Sequence, residues 1–421
     1  MLKAIKISFV LFFAAGSARV FAQQANTLQL DSLIAEAVRH NPAIQSSERR
    51  SAAVSQQEEI VSTWQDLTIS YSRWLSSPET RVGPQTNTLT ISQAIPFPGK
   101  LGSMGGMARE DAVAEQQKSD ATKRDVVFKV KTAYFDLYRI DRSLAIINTY
   151  LDLLRNFNKV AEEKYATGIG IQANVLKSQV EISNILNKKL AFERMRTSVA
   201  AKINALIDKP ANSPVGIAST IDTIQIQLSD SLLVRDALEN RQELKASEAM
   251  IKKSELMKDL ASLQYYPNFN LQAAYVTVAK GNSVASDAGK DAFSIGLGIN
   301  IPIQLGRRSA ETEEAEATYE ANQLQYKNVE NDVKAEIKDL HFQLQSIGQS
   351  LDLYNNGLLT QSQSALESAL SAYSTGKLDF LTLLDSERML LQVRLGYVEQ
   401  QSNYQNTLAA LERAVGGSLT K

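Results

Sequence analysis

Between Phe293 and Ile301 the chain alternates without a fault. Phe293, Ile295, Leu297, Ile299 and Ile301 are large and apolar, whereas Ser294, Gly296, Gly298 and Asn300 are small or polar. Successive side chains of a strand point to opposite faces, so this stretch has one oily face and one wet face. The pattern fits a half-buried strand of a soluble sandwich, and it fits a membrane-barrel strand that is greasy outside and wet inside. Leu67–Ser72, Thr88–Ser92 and Asn268–Val278 alternate in the same way. Four strands are expected, at about 67–75, 87–95, 268–278 and 291–301.

The remaining periodicity is helical. Leu30 to Ser62 reads as helix interrupted at Asn41-Pro42, where Pro42 removes a backbone donor and favours a kink or a new first turn. The strand pair 67–95 is split by a polar loop (Ser76–Asn87) and ends in the corner Pro96-Phe-Pro-Gly-Lys100. No proline occurs from Leu101 to Lys164, and a helix of that length reaches roughly 95 Å. Tyr165-Ala-Thr-Gly168 breaks it, and a second helix runs from about Gln172 to Asp208. The order then recurs: a helix over Ser229–Gln264, two strands around the loop Ala279–Lys290, and a corner at Pro302–Arg307. A proline-free helix follows to Tyr373-Ser-Thr-Gly376, and a return helix ends at Gly416-Gly417. Gly99 to Tyr165 is 66 residues, Gly306 to Tyr373 is 67, and the two Tyr-x-Thr-Gly turns are 208 apart. Matching order, corners, lengths and turns imply a tandem duplication, roughly Leu28–Lys209 and Ser229–Gly417.

Heptad stripes sharpen the helical picture. Leu144, Ile147, Leu151, Leu154, Ala161 and Tyr165 follow coiled-coil spacing, and the last helix carries two adjacent stripes. These are Leu383, Leu390, Tyr397 and Tyr404 beside Leu384, Leu391 and Val398. One stripe serves one partner helix. Two stripes suit neighbours on both flanks, as in a ring of helices, and a simple antiparallel bundle also accommodates them.

Composition removes several classes of function. Lys and Arg total 45 against 46 Asp and Glu, a net charge of −1, so no basic excess draws nucleic acid. Cysteine is absent, which excludes disulfides, thiolate nucleophiles and Cys-metal sites. His40 and His341 are far apart and in no ligand spacing; His40 is expected to pack or cap. Glu311, Glu313, Glu314 and Glu316 lie at the start of a long helix, where carboxylates complement the macrodipole, and read as a solvated face. Gly296 and Gly298 alternate within a strand and form no phosphate loop. Nothing resembles a catalytic constellation or calls for a cofactor, so an enzyme is not expected. Lys3 and Lys6, the apolar run Ile7–Ala15 and Val20-Phe-Ala22 have the layout of a secretory signal peptide cleaved after Ala22. No cysteine sits at that point for a lipid anchor, and no later stretch approaches ~20 consecutive apolar residues. Entry into a membrane would therefore be as a β-barrel.

Four strands cannot close a barrel, for which about eight is the practical minimum. Open edges in lipid strand backbone groups without water. A membrane location thus requires several chains to share one barrel, with the long helices leaving one rim through the two corners. Physics alone does not choose two, three or four chains. The other reading is a secreted coiled-coil structural or adhesion protein with a small soluble sheet.

The kinked start Ala37-Val-Arg-His-Asn-Pro42, the Gln93-x-x-Pro-Phe-Pro-Gly-Lys100 corner, the paired turns and the duplication resemble the TolC-like outer-membrane efflux family over Leu28–Gly417. The resemblance implies a mainly α fold with a membrane β-barrel part: a homotrimer whose 12-stranded barrel sits in the outer membrane, above a periplasmic α-helical barrel. It implies a passive duct that accepts cargo from a periplasmic adaptor and an inner-membrane pump; the corner is similar to members paired with resistance-nodulation-division pumps. The domain division is then a signal peptide (1–22), a first repeat (23–209, tip 165–170), a connecting segment (210–228), a second repeat (229–417, tip 373–378) and a tail (418–421). By the same resemblance the adaptor docks on the tips, at Tyr165, Gly168 and Ile169 and at Tyr373, Gly376, Lys377 and Leu378. Acidic residues that ring the aperture in some members would fall at Asn174, Thr382 and Asp385, of which only Asp385 is acidic. The oily face of 293–301 would meet outer-membrane lipid, with Trp64, Tyr71 and Trp74 near an interface.

Overall fold

The computed structural model describes residues 27–219, 221 and 229–419. The expected signal peptide, residues 222–228 of the connecting segment and residues 420–421 of the tail lie outside the described residues. In chain order the elements are β1 (Thr27–Leu28), α1 (Leu30–His40), α2 (Pro42–Ser55), α3 (Gln57–Ser62), β2 (Thr68–Arg73), β3 (Glu79–Thr80), β4 (Gly83–Ile95), α4 (Lys100–Ala166), α5 (Gln172–Leu206) and β5 (Ile217–Ala218). There follow α6 (Asp230–Asn240), α7 (Gln242–Leu263), β6 (Phe269–Val278), β7 (Ala292–Ile299), α8 (Leu305–Leu353), a π-helical turn (Tyr354–Leu358), α9 (Leu359–Ser374) and α10 (Phe380–Val415).

The strands β2, β4, β6 and β7 form one antiparallel sheet in that order, with the short β3 folded back on β4. A separate parallel pair, β1 with β5, ties the described N-terminal end to the segment after α5. Away from the sheet the helices pack side by side. α10 is flanked by α4 on one side and by α8 and α9 on the other, and α5 lies on the far side of α4. The two stripes of α10 do not sort to opposite flanks. Leu383, Leu384, Leu390 and Leu391 are buried together with Ile147, Leu151 and Leu154 of α4 and Leu366 of α9, while Tyr404 and Leu408 are buried with Val333, Ile337 and Leu344 of α8. No described helix is long and apolar enough to cross a membrane.

Two core clusters lie where the short helices meet the long ones, and they match position for position. Leu33, Ala37 and Ile44 are buried against α4 and α5; Leu233, Ala237 and Leu244, each 200 residues later, are buried against α8 and α10. The breaks between the short helices also match. Asn41 (φ −63, ψ 122) and Arg241 (φ −66, ψ 125) share one extended conformation. Each reaches the end of a return helix, Asn41 Nδ2 donating to Leu206 O (2.9 Å) and Arg241 Nη1 donating to Ala414 O (3.0 Å). These carbonyls belong to the last turns of α5 and α10, which have no intrahelical donor of their own. Asn41 also caps α2 by accepting from Ala43 N (2.9 Å). Arg241 is held in place by Glu336 (2.8 Å) and Glu243 (3.0 Å).

Several expectations need correction. Ser229–Gln264 is not one helix: it breaks at Arg241 without a proline, because the break is fixed by the guanidinium's distant partners. The polar loop Ser76–Asn87 is largely strand. β3 and the start of β4 form a tight hairpin at Gly83 (φ +123), and Pro84 O accepts from Ala279 N (2.9 Å), so pairing with β6 extends to that end. β7 stops at Ile299, since Asn300 turns its side chain to the backbone N–H of Asn268 and leaves Ile301 beyond the strand. His40 is exposed, and the cap is its neighbour Asn41.

Arg241→Ala should destabilise the helical part by about 1–3 kcal/mol, because it strips Ala414 O and leaves Glu336 only the more distant Arg413 (3.9 Å). Asn41→Ala should cost about 1 kcal/mol, the value of a lost cap with one further bond. Denaturant titrations followed by circular dichroism check the order; an Asn41 variant less stable than the Arg241 variant would refute it.

Candidate functional site

Two places in the fold concentrate the residues that the sequence singles out: the sheet face and the hairpin tips. On the sheet, strand register gathers the apolar positions of four strands on one side. Ile69 faces Ile91 and Tyr71 faces Leu89. Leu89 in turn faces Tyr275, and across the last pair Leu271, Ala273 and Tyr275 face Leu297, Ile295 and Phe293. The opposite side carries Ser70, Thr90, Gln272, Ser294, Gly296 and Gly298. No described element covers the apolar side: Phe293, Ile295 and Leu297 are 66–71 % exposed, as is Ile301 beyond the strand end. Ten or so bare large side chains expose on the order of 1,000 Å², beyond the few hundred that soluble monomers tolerate in one patch. β2 and β7 each pair on one side only, so both sheet edges present unpaired backbone groups among the described residues.

Aromatic residues mark both ends of this face. Tyr71 donates to Asn87 Oδ1 (2.7 Å) and Trp74 Nε1 lies 3.4 Å from Thr88 Oγ1 at one end. Trp64, Tyr265 and Tyr266 are exposed at the other, with Tyr266 stacked on Phe97 of the first corner (4.6 Å). That corner is anchored by Lys100, whose buried ammonium donates to Tyr266 O (3.0 Å) and Asn268 Oδ1 (2.9 Å). Tyr265 and Tyr266 were not singled out from sequence, although aromatic residues just before a strand are a legible belt signal, and Lys100 was named only as the last residue of the corner.

The hairpin tips are built alike. After α4, Gly168 (φ +74) lets Ile169 N and Gly170 N return to Lys164 O at 3.0 and 2.8 Å. After α9, Gly376 (φ +73) lets Lys377 N return to Ala372 O at 2.9 Å. This left-handed cap satisfies the last helical carbonyls and suits glycine. Tyr165, Gly168 and Ile169 are exposed, as are Gly376 and Lys377. Tyr373 is half-buried against Phe380 (5.9 Å), and Leu378 packs into the same cluster. The two tips meet through a residue not expected from sequence: Lys164 Nζ lies 3.9 Å above the Tyr373 ring. Burial raises the Tyr373 phenol above its ordinary value, so it stays neutral beneath that cation.

The three aperture candidates differ in situation. Asn174 is half-buried in the first turn of α5. Thr382 is exposed, but its hydroxyl donates to Asp379 (2.7 Å), which caps α10 through Leu381 N and Thr382 N. Asp385 is exposed and pairs with Arg388 (3.3 Å). Arg388 also holds the buried Glu181 of α5 (2.5 Å), joining the first hairpin to the second. One turn further in, Glu387 is 1 % exposed and points into a cavity of about 30 Å³ between α4 and α10, lined by Ile146, Thr149, Tyr150, Leu153, Leu390, Leu391 and Arg394. Its Oε1 and the Tyr150 hydroxyl find no hydrogen-bond partner among the described residues. Burial pushes the Glu387 carboxyl up to about 7, against the pull of Arg394.

Three of the four glutamates at the start of α8 have side-chain partners. Glu311 takes Arg307 and Arg308, Glu313 takes Ser309, and Glu316 takes Lys258. No three metal-donor side chains are grouped among the described residues.

Comparison with known proteins gives this geometry a context. A family model described as "Outer membrane efflux protein" matches the chain twice, over residues 33–207 and 233–417. The solvent efflux pump outer membrane protein SrpC of Pseudomonas putida is 22 % identical over 327 residues, 76 % of this chain and 68 % of that one. The cobalt-zinc-cadmium resistance protein CzcC of Cupriavidus metallidurans is 19 % identical over 344 residues, 80 % of this chain and 79 % of that one. Among solved structures, the outer membrane protein VceC of Vibrio cholerae superposes with a TM-score of 0.78 at 21 % identity. That match covers 94 % of this chain and 98 % of VceC.

Glu387 makes stability depend on pH. A carboxyl whose folded value lies near 7 rather than near its ordinary 4.5 holds a proton that the unfolded chain gives up in between. Its contribution is therefore full below about 4.5, falls as pH rises towards 7, and is constant above. Raising pH from 5 to 8 should lower the stability of the helical part by on the order of 1–2 kcal/mol. Glu387→Gln should flatten that dependence; a variant with an unchanged pH profile would show that Glu387 is not the group.

Proposed function

The chain belongs to the outer membrane efflux protein family, and from that premise we propose that it is the outer-membrane channel of a tripartite efflux system. The chain is not an enzyme; its work is conduction. Three copies contribute four strands each to a 12-stranded barrel in the outer membrane, and their hairpins form a helical tunnel in the periplasm. The bare apolar sheet face with two open edges carries this reading. In lipid every backbone polar group needs a partner within protein, so β2 of one copy pairs with β7 of the next until the ring closes. The apolar side then meets lipid and the Ser, Thr, Gln and Gly side lines water. A secreted coiled-coil protein with a soluble sheet would have to cover that face, and no described element does.

The tips receive a periplasmic adaptor, and an inner-membrane pump of the resistance-nodulation-division type supplies cargo and energy. Exposed Tyr165, Ile169 and Lys377 and the capped turns at Gly168 and Gly376 offer the adaptor a rigid shape, with Tyr373 and Leu378 setting the second tip from behind. Asn174, Thr382 and Asp385 lie just inside the aperture. Relatives carry names of solvent efflux and of cobalt-zinc-cadmium resistance, which suits a passive duct whose cargo is chosen upstream.

Detergent-extracted protein should scatter light as a trimer, and a monomer would defeat the shared barrel. Leu297→Lys should impair assembly into outer membrane, with a cost of about 2–4 kcal/mol per chain near the midplane. Gly298→Lys should assemble almost normally, because it faces the polar side and Asn270 leaves it room. Equal defects would mean that the faces are misassigned. At the tips, Gly168→Pro and Gly376→Pro cannot keep a positive φ. Each should cut efflux several-fold while the barrel still inserts; undiminished efflux in both would argue against docking there.

A further inference from the structure

The two repeats meet in the sheet between β4 and β6, and the base of that seam is locked. Lys100, at the end of the first corner, donates to Tyr266 O (3.0 Å) and Asn268 Oδ1 (2.9 Å). Asn268 Oδ1 also accepts from Phe97 N (3.0 Å), and the Tyr266 ring stacks on the Phe97 ring. Leu263 closes the lock from the helical side, so near that a Cβ on Gly99 would lie 3.1 Å from it. One repeat supplies the corner, and the other supplies the residues just before its own first strand.

The duplication provides both halves of this lock a second time, and among the described residues they do not meet. Pro302, Ile303, Gly306 and Arg307 stand where Pro96, Phe97, Gly99 and Lys100 stand in the first repeat. Buried positions fix the alignment: Ala315, Val333, Ile337 and Leu344 of α8 follow Ala108, Val126, Val130 and Leu137 of α4 by 207 residues, as Arg307 follows Lys100. Before β2, Trp64-Gln-Asp66-Leu67 matches Tyr266-Pro-Asn268-Phe269 before β6, aromatic for aromatic and Asp for Asn. Yet Ile303 is 80 % exposed and Trp64 59 %. Nothing lies within 4 Å of the place that a Cβ on Gly306 would take. Asp66 is exposed and has no hydrogen-bond or ion-pair partner among the described residues. Arg307 is exposed and meets Glu311 through Nε alone (2.9 Å). The bare corner follows β7 and the bare Trp64–Asp66 segment precedes β2, the two strands with open edges.

We propose that these two halves meet between copies: Arg307 of one chain pairs with Asp66 of the next, and Trp64 of that neighbour covers Ile303. The lock depends on the shared-barrel reading and adds which residues join copy to copy, and in which register. The change of residues fits the change of setting. Lys100 is a point charge on two neutral oxygens within one chain, whereas Arg307 offers a planar fork whose terminal nitrogens suit a carboxylate. A charge pair between separate copies draws the right edges together and opposes wrong ones.

Inside the chain Phe269 pairs with Ile95. Carried to the seam between copies, Leu67 pairs with Ile301, Ile69 with Ile299, Ser70 with Gly298 and Tyr71 with Leu297. The corners and pre-strand segments alone give this register, and the strand faces agree with it: oily residues meet oily ones and small or polar ones meet their like. A slip of one residue would reverse the faces. A slip of two would keep them but move Arg307 from Asp66 by roughly 6.6 Å.

The chain has no cysteine, so introduced pairs report cleanly. Gly298→Cys would be combined in turn with Thr68→Cys, Ser70→Cys and Ser72→Cys in full-length protein, extracted in detergent, oxidised and run on non-reducing gels. Directly opposed residues of an antiparallel pair lie about 4.5–5.5 Å apart at Cα, within disulfide reach. Two strands separate β2 from β7 in one chain, so every such bridge joins copies. The Ser70→Cys pair should give dimer and trimer bands several-fold stronger than either of the others. Trimers with a stronger band from Thr68→Cys or Ser72→Cys, or with no band, overturn the register and leave the ring intact. Arg307→Asp and Asp66→Arg should each lower by several degrees the temperature at which trimers dissociate in dodecyl sulfate, and combining them should recover most of the loss. Losses that simply add in the double variant overturn the ion pair. Unsubstituted protein that scatters light as a monomer, with no band from any pair, would sink the shared barrel itself and the lock with it.

Discussion

Unpaired backbone groups along the free edges of β2 and β7 set the terms for everything else in this molecule. A strand edge in water is a hazard that charge or a covering loop can blunt, and in lipid it is prohibitive. Here neither edge is blunted, and the face between them is apolar across all four strands. On the proposed reading, further copies of the chain pair with those edges. Each corner at the sheet's base feeds a helix of 49 residues or more away from the sheet.

Helices of such length need to be held at more than their tips. The two breaks at Asn41 and Arg241 do this with one geometry and different chemistry. A short amide reaches one helix end; a long guanidinium, steadied by two carboxylates, reaches the other. The backbone angles agree within a few degrees, although the residues share neither charge nor size. What is common to the two halves is the need to satisfy a terminal carbonyl and to redirect a short helix beside a long one. Each half meets that need with the side chain that spans its gap.

This explains what could be read in the sequence. The alternation of Phe293–Ile299, the glycine turns, the corners and the long proline-free helices are local signals, each carried by a few neighbouring residues, and the fold class followed from them. The break at Asn41 was legible because Pro42 announces it. The one at Arg241 was not, because its cause lies at Glu336 and Ala414, about 95 and 173 residues away. The one-residue difference between the hairpins was visible as a spacing, but the π-helical turn Tyr354–Leu358, where a helix takes up an extra residue, carries no local sequence signal. At the candidate site the tip glycines were legible through their turn chemistry. Lys164 over Tyr373, Arg388 on Glu181 and the buried Glu387 were not, because each depends on which helix lies alongside which.

The charges near the tips bear on what passes between them. Residues 159–181 carry Lys159, Lys164 and Lys177 against Glu162, Glu163 and Glu181; residues 370–388 carry Lys377 and Arg388 against Asp379, Asp385 and Glu387. Glu387 is kept largely protonated below neutral pH by its burial, so the second segment balances as the first does. Arg388 is paired at contact distance with both Asp385 and Glu181, and the Asp379 carboxylate is spent on capping α10. Paired charges in water at physiological salt project little beyond about 8 Å. An end built this way, on the proposed reading, neither concentrates cations nor repels anions over the width of the tunnel. On the proposed reading, discrimination among cargoes then has no electrostatic purchase at the narrow end, and falls to the partners that load it.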